Sequence, residues 1–233
     1  MNKIWSFIWS FSSVLIAALL IAFLIFDQAP WPSSSRDYIE ASSVQDTGAI
    51  NLVSSIYLGY RAYDTLGETI VLLLGVLGTL GILQIRSNNE PTRQIQKRRT
   101  EFLKVASGKL GPIVLVFGLY VMLFGHVSPG GGFQGGVVIA SGIVFLAMGT
   151  REAVYSPLVN GDFLKKLESL TFFLIVLSAL LGLIVNVGFF GNIAPLVNIK
   201  PVYFIVMLNV LIGLKVGSSL GLLCLVFLWD EAT

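Results

Sequence analysis

The sequence predicts an all-α protein, a polytopic bundle of about six membrane-spanning helices. Three observations carry that prediction. Of 233 residues, 55% are hydrophobic and only 12% charged, about half the charge density of a soluble domain, and the mean hydropathy is +0.84. Uncharged stretches recur along the chain, and several reach the roughly 20 residues that a helix needs to cross the hydrocarbon core. The charges that remain gather between those stretches. Secreted, collagenous and disordered classes are thereby excluded. A single cysteine, Cys224, excludes an internal disulfide and multi-cysteine metal sites, and a single histidine, His126, excludes a haem pair or a polyhistidine zinc site. The net charge of +2 says little, because in a membrane protein the placement of charge outweighs its sum.

The elements follow in order. Ile4 to Phe26 is uncharged and long enough to span. Its apolar region is too long for a signal peptide, and Asp27-Gln28-Ala29-Pro30-Trp31-Pro32 offers no small-residue cleavage site. Thr69 to Ile85 is a second uncharged stretch, extended upstream by the charged segment Arg61 to Glu68. Leu110 to Thr150 carries no formal charge and is too long for one helix; Ser128-Pro129-Gly130-Gly131-Gly132 splits it into spans three and four. Ser169 to Ile199 contains the fifth, ending near Asn186-Val187-Gly188. Pro201, suited to a first helical turn, opens a sixth that runs to about Trp229.

Orientation follows from the loops. Residues 86–109 hold Arg86, Arg93, Lys97, Arg98, Arg99, Lys104 and Lys109 against Glu90 and Glu101, whereas residues 27–50 hold Asp27, Asp37, Glu40 and Asp46 against Arg36. Short Lys/Arg-rich loops stay cytoplasmic, so both termini are expected inside with Lys3, Arg151, Lys165 and Lys166, leaving Arg36 and Lys200 outside. The basic segment suits a topogenic signal beside anionic lipid. Confined to a short membrane loop, it argues against nucleic acid as a partner. Its amphipathic middle, 93–104, is expected along the cytoplasmic surface. It divides the chain into a two-span unit (1–88), a basic cytoplasmic linker (89–108) and a four-span unit (109–233).

Charges at membrane depth cost roughly 2.5–3.5 kcal/mol each on insertion scales and call for an explanation. On a helix, Arg61, Asp64 and Glu68 fall at i, i+3 and i+7 and share one face, with Tyr57 just before them. Arg61 can neutralise Asp64, leaving Glu68 nearest the apolar part of the span. A partly desolvated Glu takes up a proton or holds a cation; the competing reading is three interfacial residues that end a helix. Gly67, Gly75, Gly78 and Gly81 are expected to favour close helix packing. Lys215 lies some 20 Å into the sixth span, where it either snorkels or pairs with a carboxylate. The stretches assigned to spans three to six contain none, which leaves Glu68 or a neighbouring subunit. His126 stands at the head of Val127-Ser128-Pro129-Gly130-Gly131-Gly132-Phe133-Gln134-Gly135-Gly136, either hydrogen-bonded structurally or relaying protons. Glycine-rich, broken helix of this kind is tolerated where it is buried in protein or lines a cavity. The run is not a phosphate loop, because no Gly-Lys-Ser/Thr follows. Asn186, Asn209 and Cys224 suit packing or helix–helix hydrogen bonding. No nucleophile elbow or acid–base set is evident, so transport or energy coupling is a better class than catalysis.

Gly125 to Gly136, with the late Gly213-Leu214-Lys215-Val216, resembles the signature of the MnhB family, the B-type subunits of the Mrp-type multi-subunit sodium/proton antiporters, over about Leu110 to Leu228. Separately, Asn51 to Gly81, with Tyr60-Arg61-Ala62-Tyr63-Asp64-Thr65-Leu66-Gly67-Glu68, resembles the C-terminal tail of the large A-type subunits of the same antiporters. A related segment stands as a small separate protein in membrane-bound hydrogenases and sulfur reductases, so the chain looks like a fusion of such a tail with a MnhB domain. The resemblance implies a non-catalytic subunit of a prokaryotic cytoplasmic-membrane complex, with other membrane subunits and lipid as partners. It implies no cofactor in this chain, and Na+ or H+ as the transported ion. Tail carboxylates map to Glu68 and Asp64, with Arg61 as their electrostatic setting; His126 and Lys215 are candidates only. Two alternatives stay open: a subunit of a redox-driven ion pump, or a structural scaffold.

Overall fold

The computed structural model describes residues 33–87, 101–149 and 157–230, besides Leu15 and Ala18. Apart from those two residues, the expected first span, Ile4 to Phe26, lies outside the described residues, as do Lys3, residues 88–100 of the basic segment, and Arg151. By its contacts the chain divides into residues 1–38 and 39–233; the architecture below is that of the second unit.

All described secondary structure is helical. Helix α1 (Ser34–Thr47) leads into a single turn, α2 (Leu52–Ser54), which continues as a π-helical turn over Ser55–Tyr60. Asn51 caps it, its side chain accepting from the Val53 N–H at 3.1 Å. The wide turn closes on a bond from the Arg61 N–H to the Ile56 carbonyl, and α3 (Ala62–Ser87) follows. After it come α4 (Glu101–Leu123), α5 (Gly132–Gly149), α6 (Gly161–Ile184) and α7 (Val202–Asp230). Five of these helices are long and apolar enough to cross a membrane: Ala62–Ile82, Glu101–Leu123, Gly132–Gly149, Gly161–Ile184 and Val202–Leu228. The chain is a multi-pass, all-α membrane protein.

The break expected at Ser128 to Gly132 falls between α4 and α5, where Gly130 and Gly131 take φ of 150° and 155°, a region costly for any residue with a Cβ. Helix α7 is the hub, packing on α5, α6 and α3, while α4 packs chiefly on α5. Its Gly213 and the facing Gly136 bring α5 and α7 together: a methyl on Gly136 would stand 2.7 Å from the Gly213 carbonyl oxygen. Of their most apolar stretches, α7 buries 56% and α3 only 17%. Among the described residues, one face of α3 is therefore left uncovered.

Two expectations need correction. The fifth span opens at Gly161, eight residues before Ser169, because Asn160 caps it, its Oδ1 accepting from the N–H of Asp162 (2.9 Å) and of Phe163 (3.4 Å). Glu168 thus belongs to a span, so spans three to six do contain a carboxylate. The glycines of α3 pack on none of the described residues: a Cβ on Gly67, Gly75, Gly78 or Gly81 would meet none of them within 4 Å. The buried face of α3 runs instead through Thr65, Thr69 and Val76, on the opposite side of the helix.

Candidate functional site

Three sets of polar groups bear on function, two inside the bundle and one on its surface. At the middle of the final span, Lys215 is fully buried, and Glu168 on α6 is 5% exposed. The Lys215 ammonium reaches Glu168 Oε1 at 3.4 Å and donates to Ser219 Oγ at 3.1 Å. Ser219 Oγ in turn donates to the same Glu168 oxygen. Ser219 is one turn beyond Lys215, so a single face of α7 presents cation and hydroxyl together to α6. Snorkelling is ruled out by the burial, and Glu168, not Glu68, is the partner. The arrangement holds one positive and one negative charge out of water, linked by a hydroxyl that can hand on a proton.

The second set locks the segment before α3 to the glycine-rich corner after α4. Asn51 Nδ2 donates to the Gly125 carbonyl (2.7 Å) and the Ser128 carbonyl (2.9 Å). The Asn51 N–H donates to the His126 carbonyl at 2.9 Å, and Ser54 Oγ to the Gly125 carbonyl at 2.6 Å. Deeper in, Asn209 Oδ1 accepts from Tyr57 Oη at 2.6 Å and from the Gly132 N–H, the first of α5, at 2.8 Å. The Tyr57 carbonyl, left over by the irregular turn, accepts from Thr65 Oγ1 at 2.6 Å. Helices α5 and α7 and the π-turn are thus pinned at one buried amide. Its Nδ2 is without a partner among the described residues.

The third set is the predicted acidic face. Arg61 and Asp64 form the expected i, i+3 ion pair, and the bond to Asp64, reinforced by its charge, holds the Arg61 guanidinium above its ordinary pKa. Glu68 is exposed on the open side of α3. His126 meets no titratable partner among the described residues: its Nδ1 faces the Leu123 carbonyl at 3.0 Å and its ring stacks on Phe124. Of the motif 129–136, Pro129 is exposed, Gly132, Gly135 and Gly136 are buried in helix crossings, and Phe133 and Gln134 occupy the first turn of α5. The structure brings together Arg61 with Asp64, and Lys215 with a carboxylate that the charge-free stretches leave outside the spans. Glu168, Ser219, Asn51 and Ser54 are not among the residues that sequence reasoning singles out. Only the Asn160-Gly161-Asp162 helix start signals that Glu168 sits inside a span. Among the described residues no three His, Cys, Asp or Glu side chains gather to hold a metal.

Comparisons with known proteins agree with this architecture. The family described as "domain related to MnhB subunit of Na+/H+ antiporter" matches residues 102–222. An uncharacterized protein of Methanocaldococcus jannaschii is 26% identical over 73% of this chain and 74% of its own length. A probable K+/H+ antiporter protein of Rhizobium meliloti, named as its combined A/B subunit, is 25% identical over 57% of this chain, which spans only 16% of that protein. The B subunit of the Bacillus subtilis Na+/H+ antiporter is 42% identical over 23% of this chain and 37% of its own. Among solved structures, a chain of the membrane-bound sulfane sulfur reductase, an archaeal respiratory membrane complex, superposes with a TM-score of 0.69 at 26% identity, covering 96% of this chain and 98% of that one. A chain of the Mrp complex from Dietzia sp. shares the fold, with a TM-score of 0.63 at 21% identity over 96% of this chain and 26% of that one.

Proposed function

Because the chain belongs to the family of domains related to the MnhB subunit of Na+/H+ antiporters, we propose that it is a non-catalytic membrane subunit of a Mrp-type cation/proton antiporter module and helps form the ion path. The observation that carries this reading is the Glu168–Ser219–Lys215 group at mid-span. An ion pair at that depth adds little net stability over apolar packing, and intramembrane ionisable groups mark ion and proton pathways. Ser219 gives the pair a hydroxyl through which a proton shifts without moving the backbone. Glu68 supplies a second carboxylate on the open face of α3, with Asp64 and Arg61 setting the field beside it. His126 is a minor participant on this reading, its ring being aside from both groups.

The two-span unit and the four-span MnhB-like domain keep their identities in this proposal, with the basic segment between them on the cytoplasmic side and both termini inside. Other membrane subunits cover the open side of α3. The test is sodium-dependent proton movement in inverted vesicles containing the assembled complex, comparing wild type with Glu68→Gln and with the charge-compensated Lys215→Met/Glu168→Gln variant, both checked for assembly. Loss of movement with assembly intact is the expected result; unchanged movement in both makes the chain a scaffold.

One observation favours a second setting for the same module. The end-to-end likeness to a chain of the sulfane sulfur reductase complex suits a membrane arm driven by redox chemistry in neighbouring subunits. Purification of the intact complex decides between the two settings: co-purifying redox centres establish the driven pump, and their lack with activity retained establishes the antiporter.

A further inference from the structure

The faces on which α6 and α7 meet are layered. Along α6 the buried positions include Leu164, Glu168, Thr171 and Ile175; along α7 they include Leu208, Ile212, Lys215, Ser219 and Leu222. Each series steps by three or four residues and so lies on one side of its helix, and each is polar in the middle and apolar at both ends. The helices run antiparallel, which sets like against like. Leu164 lies against α7 at Gly221, Glu168 meets Lys215 and Ser219, and Ile175 lines one cavity with Leu208 and Ile212. We infer that the layer at Leu164 is a hydrophobic gate, where water reaches the Glu168–Ser219–Lys215 group, and that the layer at Ile175 is a fixed seal.

Both layers are closed as they stand. Leu164 packs in one cluster with Ile143, Val159, Leu222 and Leu225, and Ile175 in the other with Leu208, Ile212 and Val216. None of these side chains is more than 2% exposed. A group that passes protons or ions must meet water at some stage of its work, and an apolar constriction controls that meeting by wetting and dewetting, with no polar lid. The buried pair is costly to hold away from water, so water that enters at either layer finds a strongly attractive site behind it.

Three differences select the Leu164 side. It is thinner: at 1.5 Å per residue Glu168 lies about 10 Å from the start of α6, whereas Lys215 lies about 20 Å from the start of α7. It is built at the end of an element. Leu164 stands in the first turn of α6, its N–H donating to the carbonyl of the capping Asn160 at 3.0 Å, and the short helical turn Pro157–Val159 comes just before. Helix ends open at lower cost than helix middles, and Ile175 sits in the middle of the same helix. Finally, α7 presents Gly221 to Leu164 and so adds no side chain there to brace it, whereas it presents Leu208 and Ile212 to the layer at Ile175.

The gate rests on the transport reading for its purpose, but its test reads access and needs no turnover. A thiol placed between the layers reports which one admits water. Thr171→Cys, in the assembled complex carrying Cys224→Ser, puts it one turn from Glu168, at a position 2% exposed whose hydroxyl bonds to carbonyls of its own helix. The probe is a small, permanently charged methanethiosulfonate, which lipid excludes, and the readout is its rate of labelling. Adding Leu164→Ala should speed labelling about tenfold or more, the rate change given by about 1.4 kcal/mol off the cost of opening. Adding Ile175→Ala, a like truncation in the other layer, should leave the rate within about twofold. A rate raised by Ile175→Ala alone, by both alike as general loosening would do, or by neither overturns the gate. Where a truncation to alanine prevents assembly, the milder Leu164→Val and Ile175→Val repeat the comparison, with the same ordering expected. Sodium-dependent proton movement by wild-type vesicles, read in parallel, separates the two failures. Movement with labelling indifferent to Leu164 sinks the gate alone, and labelling governed by Leu164 without movement sinks the transport reading alone.

Discussion

Replacing Lys215 by methionine keeps most of the length of the side chain, one atom short, and removes its charge. At 3.4 Å and an effective dielectric of about 20, the attraction of Lys215 for Glu168 is about 5 kcal/mol. The desolvation of each ion, several kcal/mol, offsets most of it. The net worth of the pair is therefore small, whereas the cost of breaking it is not. In Lys215→Met the Glu168 carboxylate, 5% exposed, keeps only the Ser219 hydroxyl, and the expected destabilisation is about 3–5 kcal/mol. Glu168→Gln should cost a similar amount by stranding the ammonium. The double variant Lys215→Met/Glu168→Gln should recover most of that loss, so the coupling measured by the cycle is several kcal/mol. The assay is retention of this subunit in the solubilised complex across a temperature series, with each variant compared at equal expression. A double variant no more stable than either single one would refute the reasoning, since it would mean that the two charges do not compensate each other. Transport by the double variant then tells what the pair is for. A stable complex that no longer moves ions assigns it to the path, and one that does assigns it to fixing the register of α6 on α7.

Asn209→Leu should cost about 1–3 kcal/mol for each of the two donors it strands, Tyr57 Oη and the Gly132 N–H, read as a lower melting temperature of the complex. Gly136→Ala should destabilise by roughly 1–3 kcal/mol by prising α5 from α7, visible as reduced accumulation of the subunit. Gly75→Ala, whose methyl meets none of the described residues, should leave the packing of α3 on α7 unchanged; loss of co-purifying partners in that variant would show that a helix of another subunit lies against α3. His126→Ala should leave the pH profile of ion movement where it is, and stability within about 1 kcal/mol, because the bond that matters at this position is the one its backbone carbonyl accepts from Asn51.

Much of this architecture is legible in the residues, and the failures at the fifth span have a common cause. Charge-free length locates every described span, Pro129 to Gly132 locates the break, and the i, i+3 spacing pairs Arg61 with Asp64. Charge-free length also starts the third span too late, at Leu110 where the helix opens at Glu101, and the fifth span likewise. It treats a carboxylate as a boundary and so sets Glu168 outside, although Asn160 two turns earlier starts the helix. That error leaves Lys215 with no partner inside the four-span unit. Which way each helix faces is hidden for a different reason. Apolar nearly all round, the spans carry no stripe to distinguish lipid from protein, so the open side of α3 and the crossing at Gly136 emerge only from packing. The bonds from Asn51 and Ser54 join residues more than 70 apart in sequence to carbonyl oxygens, and a carbonyl acceptor leaves no trace in residue type.

Those same bonds have a consequence for assembly. The segment Asn51–Tyr60 and the corner Gly125–Ser128 belong to one chain, so their meeting is intramolecular. A joint held under that condition stays closed with contacts too weak to hold two free partners. The three hydrogen bonds to the Gly125 and Ser128 carbonyls, with the fourth from the Asn51 N–H to the His126 carbonyl, therefore need supply only part of what two separate chains would need to stay together.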